Sequence, residues 1–260
     1  MITMKEMGAR FSLILNNLED KKLPCGGIKI PYPSMAEMCI EFQRGECYSF
    51  FGTPSENALA VWRLNLLWQL AKAGVSVHIL DGGKQFNKDF TDLMCLQADM
   101  DRIHLQNGRL SAQDFVSLSA ALEEIGHYPI TWHTDENIPS EKDTLVCMKT
   151  VSLKEWQHNE SIVLWPQVWG RNLVLFLFVW MEKGEKACWN NLYARDHILL
   201  PEERSSYYGF VEYNSITNFD LSAPKEQLQV FMKSPTFLTP QRCNFDYDPQ
   251  SLKLTPTDIF

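Results

Sequence analysis

The sequence predicts an α/β domain built around a mostly parallel sheet, and three observations lead there. Strand-like runs alternate with helical ones through the first half: "CYSFF", then "ALAVWRLNLLWQLAK", then "VSVHIL". Strands separated by a helix pair in parallel, because the connection has to cross back over the sheet, and helices then cover its faces. With 260 residues, 45% of them hydrophobic, the chain has the apolar material for one substantial core. A later run of strands points to an antiparallel edge.

The elements follow in order. Residues 1–20 ("MITMKEMGARFSLILNNLED") place Met4, Met7, Phe11, Ile14, Leu15 and Leu18 at three- and four-residue steps, the period of an amphipathic helix. Pro and Gly in "LPCGGIKIPYPSM" mark a loop, and a turn at Arg44-Gly45-Glu46 leads into a strand over residues 47–51. Residues 58–72 read as a helix closed by Gly74. "VSVHIL" is a strand ending in Asp81-Gly82-Gly83. A mostly helical stretch runs from 86 to 125, broken at Asn107-Gly108 and restarted by an N-cap at Ser111. "PITWHTD", "TLVCMKTV", "SIVLW", "NLVLFLFVWM" and "GFVEYN" supply further strands. From about Ala223 the composition shifts to spaced prolines and small apolar clusters, which reads as an extended tail.

Composition narrows the function classes. A net charge of -8 and a pI near 5.3 argue against a surface that binds nucleic acid everywhere, since that needs a dense Lys/Arg footprint. The seven cysteines form no C-x-x-C pair, so neither a disulfide framework nor a zinc site is expected, and a reducing cytoplasm fits best. The longest apolar run, "LVLFLFVWM", is about half of what a membrane-spanning helix needs, so no membrane partner is expected.

One stretch raises the functional question. "FFGTPSENALAVW" has the outline of a phosphate-binding turn running from a strand into a helix. Such a turn reads G-x-x-x-x-G-K-[ST], because backbone N–H groups cradle the phosphates, Lys reaches the terminal ones and the hydroxyl holds Mg²⁺. Here Gly52 is followed, at the right spacing, by Asn57, Ala58 and Leu59, with Pro54 and Ser55 in between.

Several passages together resemble the RecA-like motor domain of the DnaB-type replicative helicases, over roughly residues 26–220. "FQRGECYSFFGTPSENA" is similar to that family's turn, strand and Pro-Ser loop ahead of the nucleotide-binding Gly-Lys. "RIHLQNGRLSAQDFVSLSAAL" resembles its helix-turn-helix passage, and "LYARDHILLPEERSSYYGFVEYNSITNFD" its closing basic signature and final strand. The resemblance implies a RecA-like three-layer sandwich at residues 24–222, preceded by an N-terminal amphipathic helix and linker at 1–23 and followed by the extended tail at 223–260.

The same resemblance implies what is missing. The phosphate-gripping Lys falls on Ala58, the Mg²⁺ hydroxyl on Leu59, and the catalytic Glu at the end of the second strand on Gly83 or its neighbour Gly82. "TLVCMKTV" offers no carboxylate where the family has an Asp, and Arg195 stands where its trans-acting arginine finger sits. Without the Lys and the Mg²⁺ ligands the γ-phosphate charge has no compensation, a loss on the order of a thousandfold or more in rate. The reading is a vestigial P-loop and a pseudo-ATPase, with no catalytic residue and no cofactor.

Other features carry partner readings. "EQLQVF" is similar to the peptides by which bacterial replication and repair proteins dock into the sliding clamp, with Gln227 as anchor and Leu228, Val230 and Phe231 as apolar plugs; the alternative is ordinary packing on the core. The terminal Phe260 with its carboxylate suits a basic-rimmed pocket, the alternative being a tail strapped over the domain. Met7, Phe11, Ile14 and Leu18 form a stripe for self-association or capture of a helicase subunit, or fold back on their own domain. "HTDE" reads as a solvated loop before it reads as half a metal or acid/base site. The Trp-rich region 156–189, beside Lys149, Lys154 and Arg171, reads as core before it reads as a base-stacking platform. The function expected is that of a non-catalytic protein of DNA replication or repair, partnered by a replicative helicase, a sliding clamp or its own copies. The alternative is nucleotide-independent single-stranded DNA binding.

Overall fold

The computed structural model describes residues 27–32, 41–52, 57–135, 146–157, 173–181, 207–215, 226–233 and 241–257. Over these the chain forms β1 (Ile28–Lys29), β2 (Glu41–Phe42), β3 (Cys47–Gly52), α1 (Ala58–Lys72), β4 (Val77–Ile79), α2 (Phe86–Ala98), α3 (Arg102–Gln106) and α4 (Ala112–Ile125). There follow β5 (Ile130–Trp132), β6 (Val146–Ser152), α5 (Leu153–Gln157), β7 (Val174–Trp180), β8 (Tyr207–Ser215), β9 (Glu226–Lys233), β10 (Gln241–Asp248) and β11 (Lys253–Pro256).

Strands β1 and β2 pair with each other, and the other nine form one sheet in the order β11-β10-β9-β8-β3-β7-β6-β4-β5. From β8 to β5 every pairing is parallel, as helices between consecutive strands require. β9, β10 and β11 then add an antiparallel edge. Both faces of the sheet are covered, and β7 shows it residue by residue. Val174, Phe176 and Phe178 join the core that holds α1, whereas Leu175, Leu177 and Val179 join a second core with Trp156 of α5 and Met181.

Helix α1 is buried almost all round: Leu59, Trp62, Leu66, Leu67 and Leu70 are each at 0% exposure. A helix that is apolar on every side belongs inside, and this one lies against the sheet with the β1–β2 pair, through Tyr32, packed on Trp62. Its end matches the sequence expectation, since Gly74 takes the left-handed φ of 78° that follows Ala73. Ser111 likewise caps α4 in a reciprocal box with Asp114.

The expectation of an extended tail needs correction, and with it the domain boundary at residue 222. Residues 226–256 supply three strands of the sheet, with Leu228, Val230, Cys243, Phe245 and Leu254 buried. The reason lies in the period. "EQLQV" and "CNFDY" alternate inward and outward at a step of two, and Pro224, Pro235, Pro240 and Pro249 fall between strands, where they cost no ladder hydrogen bond. Pro256 ends the edge strand β11, a place that tolerates a missing N–H. The N-terminal stripe (Met7, Phe11, Ile14, Leu18), Pro54, Ser55, Arg195, Phe260 and the strand expected at "SIVLW" lie outside the described residues.

Candidate functional site

The C-terminal ends of the parallel strands set out the site, as the doubly covered sheet requires. Gly52 ends β3, and its carbonyl accepts the Met181 N–H beyond β7 at 2.9 Å. Helix α1 begins at Ala58, and its N-cap Asn57 is exposed with φ 51° and ψ 2°. Asn is among the few side chains that tolerate this left-handed conformation, the geometry for which a phosphate turn uses Gly. The backbone therefore still makes the turn into the helix at Asn57.

The chemistry at that turn is apolar. Ala58 is 1% exposed and Leu59 is 0% exposed. A Cβ added to Gly52 would lie 2.8 Å from the Leu59 Cβ and 3.3 Å from the Val211 carbonyl oxygen. Leu59 thus packs directly onto the glycine backbone at the end of β3. A methyl group and an isobutyl group stand at the positions of the ammonium and the hydroxyl, and neither can bond to a phosphate or a Mg²⁺ ion.

The carboxylate position needs a correction. The sequence expectation places it on Gly82 or Gly83, but the strand before them ends at Ile79, and Asp81 follows two residues later. Gly82 and Gly83, at φ 65° and 72°, are the turn itself. Asp81 is 7% exposed; its Oδ1 accepts the Gly83 N–H at 2.9 Å, and its Oδ2 is buried without a hydrogen-bond partner among the described residues. The site therefore keeps one carboxylate that sequence reading missed, although an Asp just past an apolar strand is an available signal. After β6 the first carboxylate is Glu155, and it caps α5: its Oε2 accepts the Ser152 N–H at 2.5 Å while its own N–H donates to Ser152 Oγ at 3.2 Å.

A charged cleft lies between α1 and α2, lined by Asn57, Arg63, Gln85, Lys88, Asp89 and Asp92. Arg63 and Asp89 form a buried ion pair. Burial pushes the Asp89 carboxyl above its ordinary range even though Arg63 and Lys88 pull it down. Asp92 is met by Lys88 Nζ and Arg102 Nε, each at 3.0 Å. The positive charges of this cleft are committed to its own carboxylates, so it offers no replacement for the lost phosphate clamp.

The other sequence candidates separate. His133 of "HTDE" meets the buried His78, Nε2 to Nδ1 at 2.8 Å with the rings stacked, and among the described residues no group of three or more His, Cys, Asp or Glu gathers to hold a metal. Lys149 and Trp156 are buried at 6% and 2% exposure, which removes both from an exposed stacking platform. The clamp-docking expectation is corrected as well. Gln227, Leu228, Val230 and Phe231 lie in β9 between β8 and β10, Leu228 and Val230 are at 0% exposure, and Gln227 Nε2 donates to Asp246 Oδ1 at 3.2 Å. A strand paired on both sides has no edge to give a partner.

No family model matches the chain, and no curated protein matches it. Two solved structures share its fold. One is a helicase-type ATPase domain with a TM-score of 0.70 at 10% identity, covering 97% of this chain and 99% of that one. A DnaB-like replicative helicase, described with its interactions with primase, has a TM-score of 0.68 at 10% identity and covers 94% of this chain. This chain spans 65% of the length of that helicase. No helix among the described residues is long and apolar enough to cross a membrane. The chain has the RecA-like fold of the DnaB-type helicase ATPase domains.

Proposed function

We propose that this is a helicase-like domain that does not hydrolyse ATP and serves DNA replication or repair through its contact surfaces. One observation carries the reading: Leu59 packs on Gly52 where a phosphate turn keeps room for a lysine-and-hydroxyl grip. Hydrolysis needs the γ-phosphate charge compensated as it develops, and a buried Ala58 and Leu59 contribute nothing to that. Asp81, a carboxylate whose Oδ2 has no hydrogen-bond partner among the described residues, repels phosphate rather than holding it.

A fold kept after its chemistry is gone is kept for binding. The partners that suit it are a true helicase subunit or a second copy, reached through the amphipathic helix expected at residues 1–20. Sliding-clamp docking through 227–231 is not part of the proposal, because those residues are interior to the sheet. The test is phosphate release by the purified chain with Mg²⁺ and ATP, with and without single-stranded DNA. The reading requires no turnover above background in either case, and steady DNA-stimulated release overturns it.

A further inference from the structure

One apolar face on the described surface has no cover among the described residues. It lies on α3 and α4, where Ile103 is 59% exposed, Phe115 58%, Val116 62% and Leu122 52%. Phe115, Ser119 and Leu122 fall at steps of four and three on α4, so the exposed apolar residues form a stripe, while Ala121 and Ile125 on the other side enter the core. Soluble chains rarely leave several large apolar side chains together on one outer face without a use for them. The sequence supplies a second apolar stripe in want of a surface: Met7, Phe11, Ile14 and Leu18.

We infer that the chain's own N-terminal segment, as a helix, packs on this α3–α4 face in the same molecule, and that this stows the element with which it captures partners. The inference rests on the proposed function and adds a control to it. Length is the first argument. As a helix, Met7 to Leu18 is about 16 Å long, enough to cover Phe115 to Leu122, about 10 Å, with Ile103 beside it.

Reach is the second argument. Phe42, paired with Ile28 near the point where the N-terminal segment enters β1, packs on Phe176 of β7, and it belongs to the same core as Ala121 and Ile125 of α4. The two ends are therefore on one face of the sheet. From β7 to β5 is three strand steps, about 14 Å. The nine steps from Leu18 to Gly27 span up to about 30 Å, so the connection reaches. A tether that reaches gives an effective concentration on the order of millimolar, which favours the same-molecule contact over a second copy at working concentrations.

Charge sets the direction. Lys5 and Arg10 lie toward the start of the N-terminal segment, Glu19 and Asp20 at its end. The exposed Glu123 is near the end of α4, and the exposed Arg109 just ahead of its start. Opposite charges meet when the N-terminal helix runs antiparallel to α4.

Hydrogen exchange on the full chain, without nucleotide or partner, tests this. Against the wild type, Phe11→Asp with Ile14→Asp should speed exchange of the 115–125 amides at least tenfold. Reciprocally, Phe115→Ser with Leu122→Ser should speed exchange over residues 7–18 by a similar factor, and light scattering should show monomers throughout. Unchanged exchange of both segments overturns the inference, as does protection that vanishes on dilution, which would mean a second copy supplies the helix. Neither result bears on ATP turnover, so the pseudo-ATPase reading stands or falls separately.

Discussion

Asn65, buried in the middle of α1, grips the turn and edge strand at the end of the chain from two sides. Its Nδ2 donates to the Leu252 carbonyl at 2.8 Å and to the Val61 carbonyl at 3.0 Å, and its Oδ1 accepts the Leu254 N–H at 3.0 Å. The helix that leaves the degenerate phosphate turn is thereby fixed to residues 187 and 189 positions away. Asn65→Ala leaves a buried N–H and C=O unpaired, and should cost about 3 kcal/mol of stability. Chemical denaturation measures it, and the loss should be accompanied by faster amide exchange at Leu254.

The same relationship predicts what happens when the end of the chain is removed. A chain stopped after residue 222 loses β9, β10 and β11 and should not fold to a cooperative unit. The milder Leu228→Ala should cost about 2–5 kcal/mol, as for other fully buried leucines. An independent docking tail would leave the melting temperature unchanged in both cases.

The contact between Gly52 and Leu59 is open to a paired test. Gly52→Ala puts a methyl group 2.8 Å from the Leu59 Cβ, with backbone at 3.3 Å on another side, and overpacking of this kind costs about 1–3 kcal/mol. Leu59→Gly takes away the Cβ that the new methyl group would meet, so the double variant should lose less than the sum of the single losses. Simple additivity would mean that the two residues do not touch.

A pH dependence follows from the turn between β10 and β11. Asp248 accepts hydrogen bonds from the Gln250 N–H at 3.0 Å and the Ser251 hydroxyl at 2.6 Å. Burial by itself would raise its carboxyl, but these bonds outweigh it and hold the group below its ordinary range. A carboxyl that binds its proton less readily when folded contributes stability above its unfolded pKa and loses it as pH falls through the folded one. Asp248→Asn should therefore be less stable than wild type at neutral pH, with the two denaturation midpoints converging below the ordinary carboxylate range. A difference that persists undiminished in acid contradicts this assignment.

Much of the fold is legible in the sequence because its signals are local. The 3.6-residue period and the glycine stop of α1, the Ser111 cap and the helix-separated strands all depend on neighbours in sequence. The end of the chain misleads because spaced prolines read as evidence against structure, when here they punctuate strands whose partners lie elsewhere. At the site, the loss of the Lys and hydroxyl positions is visible in Ala58 and Leu59. Asp81 is harder to see, because the carboxylate comes directly after the strand that ends at Ile79, ahead of the two left-handed glycines on which the resemblance places it. The Asn65 clamp joins residues nearly two hundred positions apart, 187 in the case of Leu252, and no local pattern announces it.

Equilibrium binding of ATP to the intact chain, in the presence of Mg²⁺, bears most directly on the claim that the phosphate turn is closed. With Leu59 packed on Gly52 and no ammonium to meet the phosphates, the account predicts no saturable binding below about a millimolar, which corresponds to roughly −4 kcal/mol. Saturable, Mg²⁺-dependent binding on the order of micromolar would contradict it.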